Sequence, residues 1–362
     1  MNNATQLLFS GPICETGYGI VATNQLYELD KQGKNVVLLP QGRNVSATTK
    51  YHEVIKRCAN KTLEIDFNSP YLKIWHQFEL LERVGRGKYI GYPIFETNRM
   101  TPFEQVNLRA CDQVLVCSKW AADVLAQHNI TAQVVPLGVD LEVFRPSVFK
   151  PEKPNFVFGN FGKWEIRKGH DVLISAFNKA FSPKDNVELW LVTQNFLLTE
   201  QENKEWNDSA LKSKMGQAGK IKLFPRQESQ DQIANIMNRV DCGVFPARAE
   251  GWNLEVLELM ACGVPSIVSN YAGHTEFCDY DTSILLTVDA LEDAYDGKWF
   301  KPGMNANQGE WAFIDETLLV DYLRLAFKEK YMTEQRVDNC IKRAQKYTWS
   351  NCAKRLLDVT GI

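Results

Sequence analysis

The chain has 362 residues, 44% apolar and 23% charged, enough for two domains with real cores. A net charge of -3 and a pI near 6.0 exclude a global basic field that would gather nucleic acid. Nine scattered cysteines with no CxxC pair exclude a disulfide framework and a structural zinc, and they point to a reducing compartment.

Residues 6–10 read as a strand, 11–19 (GPICETGYG) as a glycine-bearing loop, 20–33 as a helix closed by Gly33, and 35–40 as a second strand. This βαβ opening begins a doubly wound sheet. The loop lacks both GxGxxG and GK[ST]. Its Gly17, Tyr18 and Gly19 can still offer amides to a phosphate or a developing charge, or form a plain βα turn. A short helix is expected within 43–66. Strands over 71–76 and 88–95 end in polar residues, His76 and the Glu96 segment, which compete as ligand contacts. A helix over 102–110, a buried strand over 113–117, a helix capped by Ser118 and a strand over 133–136 complete the first domain. The run RPSVFKPEKP reads as a linker, and the boundary is placed near 150.

The second domain opens with a strand over 155–159 and the loop GNFGKWEIRKG, which carries Lys163, Arg167 and Lys168 before a helix. Cations at a helix start suit a diphosphate; a solvated basic turn is the alternative. A strand over 187–192, a polar stretch over 199–219 that is surface helix or disorder, and a strand over 221–224 followed by Arg226 come next. After a helix in SQDQIANIMNRV, the stretch 240–277 reads as strand, loop, helix, strand and a glycine turn at Tyr271-Ala272-Gly273. Glu250 sits before that helix and Glu258 inside it, eight residues on. Two carboxylates at the ends of one ligand repel phosphates but accept hydroxyl hydrogen bonds, which suits a molecule with polyhydroxylated ends and phosphates between them. Residues 279–311 read as an irregular acidic and aromatic insertion, followed by helices over 315–330 and 333–347 and a closing helix.

The stretch EGWNLEVLELMACGVPS closely resembles the donor-binding motif of retaining GT4-type glycosyltransferases, which have the GT-B fold. Trp252 stands for the usual Phe, and Asn253 for a Gly whose backbone freedom it narrows. VLVCSKW, VPLGVD and GKWEIRKG resemble the same family's segments, with Lys163 in place of an Arg and Lys168 as the Lys. The resemblance implies two Rossmann-like domains facing each other across a deep cleft: 1–150 on the acceptor side, 151–345 binding the nucleotide sugar, and 346–362 packing back on the first. It implies a retaining, metal-independent hexosyl transfer from a nucleoside diphosphate sugar to an acceptor hydroxyl, with no cofactor and a UDP-sugar favoured over a GDP-sugar. Lys163, Lys168 and Glu250 are then catalytic. Gly251, Trp252, Asn253, Leu254 and Glu258 bind the donor, Arg226 is a base contact, and Gly17, Gly19 and Glu96 are further substrate contacts. Arg167 is expected to point elsewhere. The acceptor is a hydroxyl-bearing glycan, lipid-linked sugar, metabolite or protein. No nucleic-acid partner is expected. With no signal peptide and no membrane-spanning run, the location is cytoplasmic, with at most peripheral contact at a membrane's inner face. The alternatives are a silent sugar-binding scaffold and an epimerase or phosphorylase of the same fold.

Overall fold

The computed structural model describes residues 6–42, 45–148, 152–329 and 333–362. They form two compact units, each built on its own parallel six-stranded sheet.

The first unit runs through β1 (Gln6–Pro12), α1 (Gly17–Lys31), β2 (Asn35–Gln41), α2 (Thr49–Asn60), β3 (Tyr71–Lys73), β4 (Tyr89–Gly91), α3 (Pro102–Arg109), β5 (Gln113–Val116), α4 (Lys119–Ala126) and β6 (Ala132–Val134). The strand order is β2-β1-β3-β4-β5-β6. Leu7, Leu8 and Phe9 are all fully buried, as expected of a parallel strand covered on both faces. The corner between β1 and α1 differs from the sequence expectation. β1 continues through Gly11 and Pro12, and α1 already begins at Gly17, so Gly17 and Gly19 lie in the first helical turn and not in a loop. The reason is close packing. A Cβ on Gly11 would lie 2.7 Å from that of Ala22, and one on Gly19 would lie 2.1 Å from the Cys14 carbonyl oxygen. β3 and β4 are only three residues long, because the chain turns at His76, whose carbonyl accepts from the Glu79 amide, and Pro93 has no N–H to donate.

The second unit contains β7 (Phe156–Phe161), α5 (His170–Ala180), β8 (Val187–Val192), α6 (Glu200–Leu211), α7 (Lys214–Gln217), β9 (Ile221–Leu223), α8 (Gln230–Met237), β10 (Cys242–Phe245), α9 (Leu254–Ala261), β11 (Ser266–Ser269), β12 (Ser283–Leu286), the antiparallel pair β13 (Leu291–Asp293) and β14 (Glu310–Ala312), α10 (Glu316–Lys328) and α11 (Glu334–Ala344). Its sheet has the order β12-β11-β10-β7-β8-β9, a complete Rossmann arrangement that reverses between β7 and β10. The stretch 199–219 resolves into α6, with a Thr199–Glu202 capping box, and α7. The insertion is less irregular than expected: β12 lies inside it and pairs with β11 in parallel.

The two units divide between Gly138 and Val139; the expected boundary near 150 falls at 149–151, outside the described residues. The segment Phe300–Gly309 and the closing helix α12 (Trp349–Thr360) belong to the first unit. There α12 packs on α1, and Lys34, Lys88 and Gln113 donate to the carbonyls of Ile362, Thr360 and Val359.

Candidate active site

In an open parallel sheet, ligands bind beyond the carboxyl ends of the strands where the order reverses. In the second unit that place is the pair of loops after β7 and β10. The β7 loop closes on Gly169, which is left-handed (φ +75°) and caps α5; a Cβ there would lie 2.0 Å from the Pro246 carbonyl oxygen. Only glycine lets the two loops meet this closely. Main-chain bonds then join them, with the Arg248 amide donating to the Arg167 carbonyl at 2.7 Å.

This contact assembles a buried charge cluster. Lys168 Nζ lies 2.8 Å from Glu250 Oε1 and 3.2 Å from Glu255 Oε1. Arg167, expected to point away, instead reaches Glu250 Oε2 at 2.9 Å and Glu165 Oε2 at 2.7 Å, and donates to the Ala249 carbonyl. The tight turn into Gly169 swings both consecutive cations inward. Lys163 is more open, its side chain 35% exposed, and pairs with Glu165 at 3.1 Å. Burial works against the Glu250 anion, but Arg167 and Lys168 overcome it and hold the carboxyl well below the usual range.

Glu258 has the opposite character. It lies buried in α9, with no hydrogen bond or ion pair to its carboxyl among the described residues. Burial, then the nearby Glu255 charge, raises its pKa well above the ordinary value, outweighing Lys168. Between the two glutamates, Gly251, Trp252 and Asn253 are buried and Leu254 opens α9. Asn253 takes φ +76° itself, so the backbone departure expected for a glycine is made by asparagine, among the residues that tolerate it best. Both polar atoms of its buried side chain lack a partner. Trp252 packs on Phe277, ring centroids 4.8 Å apart. Behind the loop, Ala272 holds φ 67°, ψ -155°, a conformation nearly confined to glycine, and presses Gly273 against Gly251.

Three contributors escaped the sequence reading. Arg248 is bidentate to Asp171 at 2.8 and 2.9 Å and donates to Glu292 at 2.8 Å, tying the β10 loop to α5 and β13. Glu255 shares Lys168. His170, neutral because burial pushes its pKa down to about 4, bonds Asn160 Oδ1 at 3.0 Å beneath the loop. The available signal was a charged or His residue within two positions of Lys168, Glu250 or Leu254. Arg226 follows β9 at the sheet edge, two strands from β7, with its guanidinium over the Phe196 ring. No cluster of three or more metal-ligating side chains occurs among the described residues, and no described helix is long and apolar enough to cross a membrane.

The remaining candidates lie in the first unit. Thr16 caps α1 through the Gly19 amide, and Gly17 has nothing within 4 Å of where a Cβ would be. Burial first, then the charge of Glu96, raises the pKa of the Tyr18 phenol. His76 lies 4.6 Å from the Tyr18 ring and stacks on Phe78 at 5.0 Å. Of the two competitors in the sequence, His76 lies against the Tyr18 ring, and Glu96 acts on the same phenol through its charge.

Residues 155–296 match the family described as glycosyl transferases group 1. The D-inositol 3-phosphate glycosyltransferase of Segniliparus rotundus is 26% identical over 54% of this chain and 41% of its own length. The mannosylfructose-phosphate synthase of Agrobacterium fabrum is 24% identical over 47% of this chain and 40% of its own. The chain therefore spans less than half the length of these curated relatives. Among solved structures, the sucrose-phosphate synthase of Thermosynechococcus elongatus superposes with a TM-score of 0.72 at 14% identity, over 99% of this chain and 98% of its own. Anabaena HepE in complex with UDP-glucose gives 0.67 at 15%, over 99% of both.

Proposed function

The second unit is a GT4-like domain of the group 1 glycosyltransferases, in a chain with the GT-B fold, and from that premise we propose a retaining transferase that moves a hexose from a nucleoside diphosphate sugar to an acceptor hydroxyl without a metal ion. The observation that carries the proposal is the pairing of an ionised Glu250, gripped by Lys168 and Arg167, with a buried and unpartnered Glu258 at the other end of the same motif. Ribose hydroxyls would give Glu258 the donors it lacks. Glu250 would accept from the sugar hydroxyls, and the amides of 251–254, with Trp252 and Asn253, would frame the sugar and phosphates.

In the reaction the bond from the anomeric carbon to the diphosphate oxygen breaks, and the acceptor oxygen bonds to that carbon on the same face. The acceptor proton passes to the departing phosphate. Lys163, Lys168 and the newly placed Arg167 stabilise the charge on the leaving group, work that a divalent metal does elsewhere. A double displacement would require a carboxylate nucleophile. Glu250 is held by two cations and keeps lone pairs for hydroxyl binding instead. HepE holds UDP-glucose in its crystals, which favours a UDP-sugar here as well. Gly17, Gly19 and Glu96 are assigned to the acceptor side and Arg226 to the base. The acceptor is a hydroxyl-bearing molecule, met in the cytoplasm or at a membrane's inner face.

Calorimetric titration with UDP-, GDP- and ADP-sugars, beside the free nucleotides and Glu258→Ala, tests this. One donor is expected to bind, at least tenfold more weakly in the variant. No binding by any donor to folded protein overturns the proposal; binding with neither hydrolysis nor transfer across an acceptor panel reduces it to a donor-binding scaffold.

A further inference from the structure

Beyond the charged loops, the second unit holds a cavity of about 1010 Å³ between α5 and α6, roofed by residues 296–299. Trp164 forms its buried floor. Trp206 from α6 stacks on Trp164 with ring centroids 5.3 Å apart and planes within 4°. Trp299, half-buried, comes from the roof. The roof is fastened by Lys298, whose Nζ lies 2.9 Å from Glu202 on α6. The volume is that of a substantial organic ligand. Its walls meet the charged loops only at residues 164–166 of the β7 loop and at Asp171, which holds Arg248; the rest take no part in the donor site.

The walls restrict the occupant. Five carboxylates, among them Asp171, Glu202 and Glu205, face two lysines, which disfavours a phosphate or nucleotide. Three of the five carboxylates already hold a cation: Asp171 is bidentate to Arg248, Glu202 is paired with Lys298, and Glu165 with Arg167. A paired carboxylate still has lone pairs for hydroxyl donors, and Ser175, Ser209 and Ser213 add hydroxyls of their own. Indole faces carry negative π density that attracts weakly positive C–H groups. A short sugar chain offers both surfaces, C–H faces for the indoles and hydroxyl edges for the carboxylates, with no net charge. We propose that this cavity is a binding site for a neutral oligosaccharide, separate from the nucleotide-sugar site.

The test uses the full chain with maltotriose, cellotriose, chitotriose and mannotriose, read by saturation-transfer NMR and tryptophan fluorescence, with spermidine as a cationic control. Trp299→Ala and Glu205→Gln are the variants, because Trp206 packs into the core and its loss threatens the fold. At least one trisaccharide is expected to bind, with Kd raised tenfold or more in Trp299→Ala and severalfold in Glu205→Gln, while thermal stability and UDP-sugar binding stay unchanged. Failure of every trisaccharide to bind folded protein, equal affinity in Trp299→Ala, or binding of spermidine alone overturns the assignment. UDP-sugar titration of the same samples separates this outcome from failure of the transferase proposal, since either site can be present without the other.

Discussion

Each unit opens with a parallel strand, a tight connection and a helix, and the two fill that element with different chemistry. After β7 the connection carries Lys163, Arg167 and Lys168, and two of these meet Glu250 on the next loop. After β1 it is short and uncharged apart from Glu15, and the helix start presents Tyr18 to the rings of His76 and Trp75. A reversal in strand order therefore fixes where a crevice forms and leaves open what it binds. The second unit fills its crevice with paired cations and carboxylates. The first presents ring faces, with Glu79 bonded to Trp75.

The largest effect is expected from removing the cation at the centre of the contrast. Lys168→Ala leaves Glu255 without its ammonium and Glu250 with Arg167 alone, in a buried setting where losing one partner costs about 3–5 kcal/mol. Donor turnover should fall by roughly 10²–10³-fold, the scale of losing a preorganised charge at the leaving group. Urea unfolding and donor hydrolysis measure the two separately. A loss of stability below about 1 kcal/mol would mean that the cluster is a wet surface feature, and the contrast between the two connections would shrink. The half-exposed Lys163 sharpens the point: Lys163→Ala should lower turnover about tenfold with almost no change in unfolding.

Glycines give the next test. Gly169→Ala forces a left-handed residue to carry a Cβ 2.0 Å from the Pro246 oxygen, at an expected cost of about 2–4 kcal/mol. Gly17→Ala meets nothing, and inside a helical turn it should be neutral or stabilise by about 0.5 kcal/mol. Thermal melts of the pair would show position 169 to be locked and position 17 to be free. If Gly17→Ala also lowers activity while melting normally, Gly17 is kept for close approach of a ligand and not for its backbone.

Much of this was legible in the sequence because local signals agreed. Short apolar runs between turn signals gave most strands of both sheets, and Glu250 and Lys168, singled out in separate segments, are brought into contact by the fold. The misses share one cause, a dependence on contacts distant in sequence. Ser283–Leu286 is too short for periodicity to distinguish strand from loop, and only its neighbour Ser266–Ser269 makes it β12. Adjacency was taken to send Arg167 away from Lys168, a rule for straight strands that fails in a turn closed by a left-handed glycine. The helix start at Gly17 was hidden because its glycines look like a loop until Cys14 and Ala22 are seen pressing on that corner.

The smallest effect concerns the two glutamates, and it has opposite signs at the two ends of the motif. Glu258 has a folded pKa above its unfolded value of 4.5, so its protonated form stabilises the fold fully below pH 4.5, and that contribution is lost as pH rises toward the folded pKa. Glu258→Gln should thus gain on wild type as pH climbs above 4.5, by at most about 1.4 kcal/mol per pH unit. Glu250 has a folded pKa below 4.5, so its contribution is present above that pH and is lost as acid drives it down. Glu250→Gln should therefore lose most against wild type near neutrality and converge with it in acid. Chemical unfolding of the three proteins between pH 2 and 8 reads both slopes, that of Glu250 below pH 4.5 and that of Glu258 above it. Parallel curves would mean that the two carboxyls share one environment, whereas diverging curves would mean that the ligand-free protein keeps one glutamate charged and holds the other neutral until hydroxyl groups arrive to bond with it.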